Sequence, residues 1–487
     1  MSLRRIDPRF LLPQPPRRAA VLGDLDEWRS ALAEAGVEIA AANGPGRPDL
    51  AVAPTRLADA AVETGADQLV LEGHGAARRL RARGFAVERV LTRPRLDRPD
   101  VLVPLDRPRP AAYALSHWLA ADTRWRRVRN GAARRLVLVG ALPEAGPVTA
   151  VASRTPLPPY VLRAVAAEYG LPATADAFLT LGQADALSRN LFHVFPDSGD
   201  RPEWVVKFAR VSGYEDPFIR DEKGLRLAHE AGGAVARHAP RLLGRLTIDG
   251  LHASVETAAP GGRLRDALRG PVSDRGKMAT VDRVAAWIVE MGRSTAAPPE
   301  ALADERLRLA REVLPAWAAQ GVPTGLVEEL PPLPAVLQHN DMGAWNMVVD
   351  GTAFTVVDWE SARRHGLPLW DLVYFLTDAL GALDGAVTDV EQDEHARRLF
   401  RGELPSSQAL FGWLRRAVAE LGLPPDAVGP VVTLGWLHHG LSHVARDASL
   451  EQAAQGHGEA VPAIERIAPL WLADPALGPS WERWRAG

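Results

Sequence analysis

The sequence predicts an α/β fold over its first third and an α+β fold over the remainder. Three observations carry that prediction. Up to about residue 156, short apolar runs alternate with amphipathic stretches, as strands alternate with helices in a parallel sheet. Between about 177 and 257 the apolar runs follow one another across turns, the pattern of antiparallel strands. Beyond about 281, stretches with apolar residues three and four apart read as helices. A length of 487 residues suits about three domain-sized cores. The expected limits are 1–156, 157–258 and 259–487, with Leu157-Pro158-Pro159 marking the first junction.

In the first segment, residues 17–23, 37–40, 50–53, 68–73 and 85–90 read as strands, and 26–36, 55–65 and 75–84 as helices. This alternation predicts a Rossmann-like parallel sheet, whose layout resembles a reduced S-adenosylmethionine methyltransferase domain. The turn after the first strand, Gly23-Asp24-Leu25-Asp26, has one glycine where a nucleotide fingerprint has two or three. The domain is therefore expected to hold no cofactor, and Gly44-Pro45-Gly46 reads as a plain turn. Arg124 to Arg135 is the one concentrated basic cluster, and Trp118 and Trp125, seven apart, are expected on one helical face. A lipid surface, a polyanionic partner or an acidic substrate can use such a face. The plainer reading, a solvated helix whose tryptophans pack onto the domain that follows, is the one expected.

The second segment opens with a helix at 160–169. Strands follow at 177–182, 190–195 and 204–209, a helix at 218–231, and strands at 242–248 and 252–256. The chain has only three lysines, Lys207, Lys223 and Lys277, because arginine takes most basic positions. A lysine inside the apolar strand Trp204-Val205-Val206-Lys207-Phe208-Ala209 therefore needs a reason. In the third segment, helices are expected near 281–295, 371–381, 393–402, 407–422 and 427–446. The last carries His438, His439 and His443. A metal pair at His439 and His443 is geometrically possible, but no acidic ligand stands nearby, so core packing or a place in the substrate pocket is expected.

Chemistry concentrates at Leu337-Gln338-His339-Asn340-Asp341-Met342-Gly343-Ala344-Trp345-Asn346, followed twelve residues on by Asp358 in Val357-Asp358-Trp359-Glu360. Phosphorylation of a hydroxyl needs one carboxylate near the nucleophile, and an Asn and an Asp holding metal against nucleotide phosphates. The apolar run Phe354-Thr355-Val356-Val357 delivers Asp358 from a strand end. Each residue alone reads as turn chemistry; the set does not. Composition narrows the rest. Net charge is −3, so nothing global points to nucleic acid. With no cysteine, disulfides and thiolate sites are excluded. No stretch reaches the length of a transmembrane helix and no signal peptide is evident, so a cytoplasmic protein is expected. The oligomeric state is left open.

At these residues, and at Gly366-Leu367-Pro368-Leu369-Trp370-Asp371-Leu372, the chain resembles the aminoglycoside phosphotransferase and choline kinase family, which shares the protein-kinase-like fold. The resemblance runs from about residue 158 to the C-terminus. It implies a small lobe and a large lobe, ATP or GTP with Mg2+ as cofactors, and a small-molecule hydroxyl as acceptor. It implies Asp341 as the catalytic base, braced by His339, with Asn346 and Asp358 as metal ligands. Lys207 would hold the phosphates, positioned by Glu222 or, failing that, Glu230. Gly182 and Ser188 would flank the phosphate loop, and the backbone near Thr257 and Ala258 would hold the adenine edge. Asp371 would tie down the loop, and Glu360 would face the acceptor. Met342-Gly343-Ala344-Trp345 departs from the family's usual interval, and the phosphate loop is poor in glycine. Two other readings remain: a pseudokinase-type nucleotide-binding scaffold, and a bifunctional protein with an active N-terminal transferase. An acidic run, Asp378, Asp384, Asp389, Glu391, Asp393 and Glu394, would suit a polycationic acceptor or would be a solvated loop.

Overall fold

The computed structural model describes residues 8–41, 46–92, 100–119, 124–140, 148–155, 157–172, 174, 176–182, 189–210, 213–271, 273–453 and 466–485. The chain forms two compact units, Met1–Glu215 with Leu242–Pro260, and Asp216–Arg241 with Gly261–Gly487.

The first unit is built on one twelve-stranded sheet. Strands β1 (Arg18–Val21), β2 (Glu38–Ala40), β3 (Leu50–Pro54) and β4 (Gln68–Glu72) are parallel, in the order β2-β1-β3-β4. Helices Asp26–Glu34, Ala58–Glu63 and Ala76–Ala82 intervene in sequence, as the alternation predicts. The parallel layout ends at β4, so only four strands of the expected sheet are parallel. The next strand, β5 (Ala86–Thr92), is followed after eight residues by β6 (Val101–Pro104), its antiparallel neighbour. So short a connection has no room for the crossover that a parallel pair requires. Then β7 (Val148–Ser153), buried along its whole length, returns antiparallel between β4 and β5.

The sheet continues without a break. Strand β6 pairs with β8 (Ala177–Thr180), and β9 (Arg189–Val194), β10 (Trp204–Ala209), β12 (Leu251–Thr257) and β11 (Leu242–Ile248) complete it, all antiparallel. The junction expected at 156/157 thus separates no two sheets. One apolar cluster joins Phe10 and Leu102 to Tyr160, Phe192 and Phe208. At the carboxyl end of β4, Glu72 accepts hydrogen bonds from Trp28 Nε1 (3.1 Å) and Thr149 Oγ1 (2.7 Å). The two tryptophans expected on one face lie on different elements. Trp118 ends a π-helical turn and packs on Phe178 and His193, whereas Trp125 lies in helix Arg124–Leu138 and is 74 % exposed. Gly44 and Pro45 lie outside the described residues.

The second unit is mainly helical. Its long helices are Asp216–Ala231, Asp274–Ser294, Trp370–Leu383, Asp389–Arg401, Ser407–Leu421 and Val428–Ala453. Local chemistry starts two of them. Ser273 Oγ accepts the Gly276 N–H, and Thr388 with Glu391 forms a capping box. Two small sheets complete the unit: β13 (Gly262–Arg263), β15 (Met347–Asp350) and β16 (Ala353–Val356) in one, β14 (Val336–Gln338) and β17 (Arg363–Gly366) in the other. Among the described residues, no helix is long and apolar enough to cross a membrane.

Candidate active site

The loop between β14 and β15 carries His339, Asp341 and Asn346, and the end of β16 leads to Asp358. The loop is anchored from the helix Trp370–Leu383. Asp371 accepts the His339 N–H (2.7 Å) on one carboxylate oxygen and the Asn340 N–H (2.8 Å) on the other. Burial lifts the Asp371 carboxyl to about 6, against the pull of those two donors. His339 is fully buried, and burial pushes its pKa down to about 4, so the ring is neutral near pH 7. Its Nδ1 accepts the Asp341 N–H (3.3 Å), which leaves Nε2–H to donate to Val357 O (3.0 Å). His339 therefore joins the Asp341 loop to the residue before Asp358.

Asp341 is held on both carboxylate oxygens. Tyr374 OH donates to Oδ1 (3.0 Å) and Asn346 Nδ2 to Oδ2 (2.7 Å). Burial, then the nearby charge of Asp358, raises the Asp341 pKa well above the usual carboxylate range. Asp358 sits at φ +67°, a left-handed conformation that a non-glycine residue holds only when its surroundings impose it. The imposing contacts are local. The next N–H, of Trp359, donates to buried Asp221 Oδ1 (3.0 Å), and Trp359 is completely buried. Gly224, one turn on from Asp221, meets the Trp359 carbonyl so closely that an added Cβ would stand 1.9 Å from that oxygen. Asp221 is a positioning residue that the sequence reading missed in favour of its neighbour. Its signal was the acid one turn before a helical glycine.

Among the described residues no cluster of three or more His, Asp or Glu forms a metal site. One carboxylate and one amide, Asp358 and Asn346, are what magnesium takes from a protein when phosphates and water supply its other ligands. The opposition of Asp358 to Asp341 ionisation is the electrostatics of a place suited to a cation.

Lys207, only 6 % exposed, stands in β10 of the first unit with its Nζ 2.7 Å from Glu256 Oε1 on β12. Glu256 was not singled out in the sequence as the partner of Lys207. Glu222, in helix Asp216–Ala231 of the second unit, pairs with Arg226 (2.9 Å), and Glu230 pairs with Arg364. The Gly182 N–H donates to Asn190 Oδ1 (3.2 Å), and Ser188 lies outside the described residues with the rest of loop 183–188. Thr257 ends β12, and the Ala258 N–H donates to Glu203 O (2.8 Å). The Ala258 N–H is thus already used within its unit. Glu360 lies 3.8 Å from Arg220.

Around the loop, Trp345 meets Tyr374 edge-on (5.8 Å between centroids), and Arg265 lies over the Trp345 ring (5.5 Å). Asn340 Nδ2 donates to His438 Nε2 (3.0 Å), and His439 packs on Tyr374 (4.5 Å). Burial lowers the His439 pKa to about 3, as expected of a core histidine. The side chain of His443 lies outside the described residues. Each carboxylate of the acidic run has its own partner. Asp378 accepts the Ala344 N–H, Asp384 meets His395 and Ser406, and Asp389 and Asp393 meet Arg466. Glu391 caps its helix and Glu394 pairs with Arg397.

Residues 183–410 match the model of the phosphotransferase enzyme family, so the resemblance to that family holds over this segment. Among solved structures, a glucosamine kinase in complex with glucosamine, ADP and inorganic phosphate is similar at 14 % identity and TM-score 0.34, over 60 % of this chain and 81 % of that one. A GDP complex of aminoglycoside 2'-phosphotransferase-IIIa is similar at 17 % identity and TM-score 0.33, over 58 % and 89 %. An aminoglycoside phosphotransferase from Streptomyces rimosus is similar at 15 % identity and TM-score 0.32, over 57 % and 97 %. No curated protein matches the chain.

Proposed function

We propose that the protein transfers the terminal phosphoryl group of a nucleoside triphosphate, ATP or GTP, to a hydroxyl of a small molecule. The observation that carries this reading is the arrangement of Asp341, Asn346 and Asp358, a half-buried acid held by Tyr374 and Asn346 beside a second acid. In the proposed reaction Asp341 orients the acceptor hydroxyl and takes its proton as the oxygen attacks the phosphorus and the bond to the leaving diphosphate breaks. Magnesium, when bound, neutralises charge on the phosphates, and Asn346 and Asp358 would hold it. Lys207 is assigned the phosphate contact, with Glu222 as its positioning partner and Glu256 as the carboxylate already beside it. Gly182 and Ser188 are assigned to the phosphate loop, Thr257 and Ala258 to the adenine edge. His339 is assigned a bracing role through its bonds to Asp341 and Val357.

The acceptor is proposed to be uncharged or anionic rather than an aminoglycoside. A polycation needs carboxylates free to receive it, and those of the acidic run are each engaged. The test is a thermal shift with Mg-ATP and Mg-GTP on wild type and on Asp358→Ala. Stabilisation of wild type that requires magnesium and is lost in the variant supports the reading, and a screen of acceptors by ADP or GDP release then follows. No shift in either protein at saturating nucleotide refutes it.

A further inference from the structure

Helix Arg124–Leu138 of the first unit has two apolar sides, and only one is used. Inward, Val137 is fully buried and packs with Ala133 into the cluster that holds Trp118 and Phe178. Asn130 on the same side donates its amide to Leu119 O (2.6 Å). Outward, Trp125, Val128, Ala132, Leu136 and, just past the helix end, Val139 recur at helical spacing and are all exposed. At 3.6 residues per turn they form one stripe, roughly opposite Val137. Of the nine large apolar side chains exposed among the described residues, five belong to this helix and its end. Trp125 is 74 % exposed, Val128 60 % and Val139 75 %, values that isolated surface residues reach but a cluster does so only where something else covers it.

Charge says what covers it. Between 124 and 140 the sequence has six arginines and no acidic residue, in a chain whose net charge is −3. Arg127, Arg129, Arg134 and Arg135 are exposed, with Arg129 and Arg135 flanking the stripe on its two sides. A second copy meeting this face through a two-fold would set arginines against arginines. A nucleic acid would use the arginines and leave the Val and Leu stripe without a role. An anionic bilayer uses both, because apolar side chains enter the headgroup boundary while arginines reach lipid phosphates. We infer that the outward face of helix Arg124–Leu138 binds the surface of a membrane containing anionic lipid. The helix lies in the plane of that surface and does not span it.

The experiment is flotation of the full chain with phosphatidylcholine vesicles, with and without phosphatidylserine. Wild type should float with the anionic vesicles at least about tenfold more than with the neutral ones, and added salt should reduce the yield. Trp125→Ser with Val128→Ser should abolish flotation, and so should Arg129→Gln with Arg135→Gln. Both sets of residues are exposed, so the thermal midpoint and any phosphotransfer should stay at wild-type level. Absence of flotation at low salt would overturn the inference. So would equal binding to neutral vesicles, or flotation that survives both double variants. A wild-type dimer that Trp125→Ser with Val128→Ser converts to monomer would give the face to a second copy and overturn it as well.

Discussion

Buried charge is handled in opposite ways in the two units. In the first, Lys207 and Glu256 neutralise each other at 2.7 Å across adjacent strands. In the second, Asp341 has for company another acid, Asp358, and is held by uncharged donors, the Tyr374 hydroxyl and the Asn346 amide. A buried opposite-charge pair is complete within the fold. A pair of half-buried acids is not, and its free energy falls when a cation or a proton joins it. The Lys207 pair is neutral before any phosphate arrives, whereas the Asp341 loop is a place kept ready for a cation.

Four variants or conditions break or sharpen that contrast. The largest effect is expected from Asp341→Asn, which keeps the shape of the loop and removes the base. Turnover should fall by roughly 10²–10⁴ with nucleotide binding retained, read by ADP or GDP release against a thermal shift. Full activity in this variant would take Asp341 out of the reaction. Next is Lys207→Met, which removes the cation from beside buried Glu256. It should cost about 3–5 kcal/mol in denaturant unfolding, and adding Glu256→Gln should restore most of it. A single variant as stable as wild type would mean that the pair is not complete within the fold.

Acid should weaken the second unit through the neutral groups packed around its aspartate. The folded pKa of His439, about 3, lies below the ordinary value of 6.5, so in that interval the unfolded chain binds the proton and the folded chain does not. Its stabilising contribution is whole above pH 6.5 and is lost as pH falls toward 3, by about 2 kcal/mol at pH 5. His439→Phe should flatten this limb of the stability profile, and an unchanged profile would show that His439 is protonated in the fold. The smallest effect is expected from Asp358→Asn. Removing one of two opposed acids should raise stability without ligand, the opposite sign to Lys207→Met, and cost the magnesium-dependent nucleotide shift. A loss of stability would remove the repulsion on which the comparison rests.

Most elements could be read from the chain. The helices at 160–169, 218–231 and 407–422 appear as Tyr160–Tyr169, Asp216–Ala231 and Ser407–Leu421, because each carries an apolar stripe of the helical period. Strands β6 and β7 went unread. Val101–Pro104 has four residues and Val148–Ser153 is buried on both faces, so neither alternates in the way that identifies a half-buried strand. The junction expected from Leu157-Pro158-Pro159 falls within one continuous sheet. The loop from His339 to Asn346 was legible because its chemistry-bearing residues stand within a few residues of one another, and Asp371 because it falls in the segment that carries the family resemblance.

Local spacing alone therefore determined the identity of the acid loop, the strand that carries Lys207 and the helix that carries Glu222. These depend on contacts within about a turn, or on a composition so poor in lysine that one buried copy stands out. Tertiary structure decided the rest. It set Glu256 beside Lys207 through the register of β10 and β12, and it put Asp221 under Trp359 from 138 residues away. It also turned an acidic run that could have received a polycation into a set of internal contacts with Arg265, His395, Arg466 and Arg397. A charged side chain takes whichever partner burial brings within reach, and that choice is made in space, between residues that nothing in their sequence neighbourhood connects.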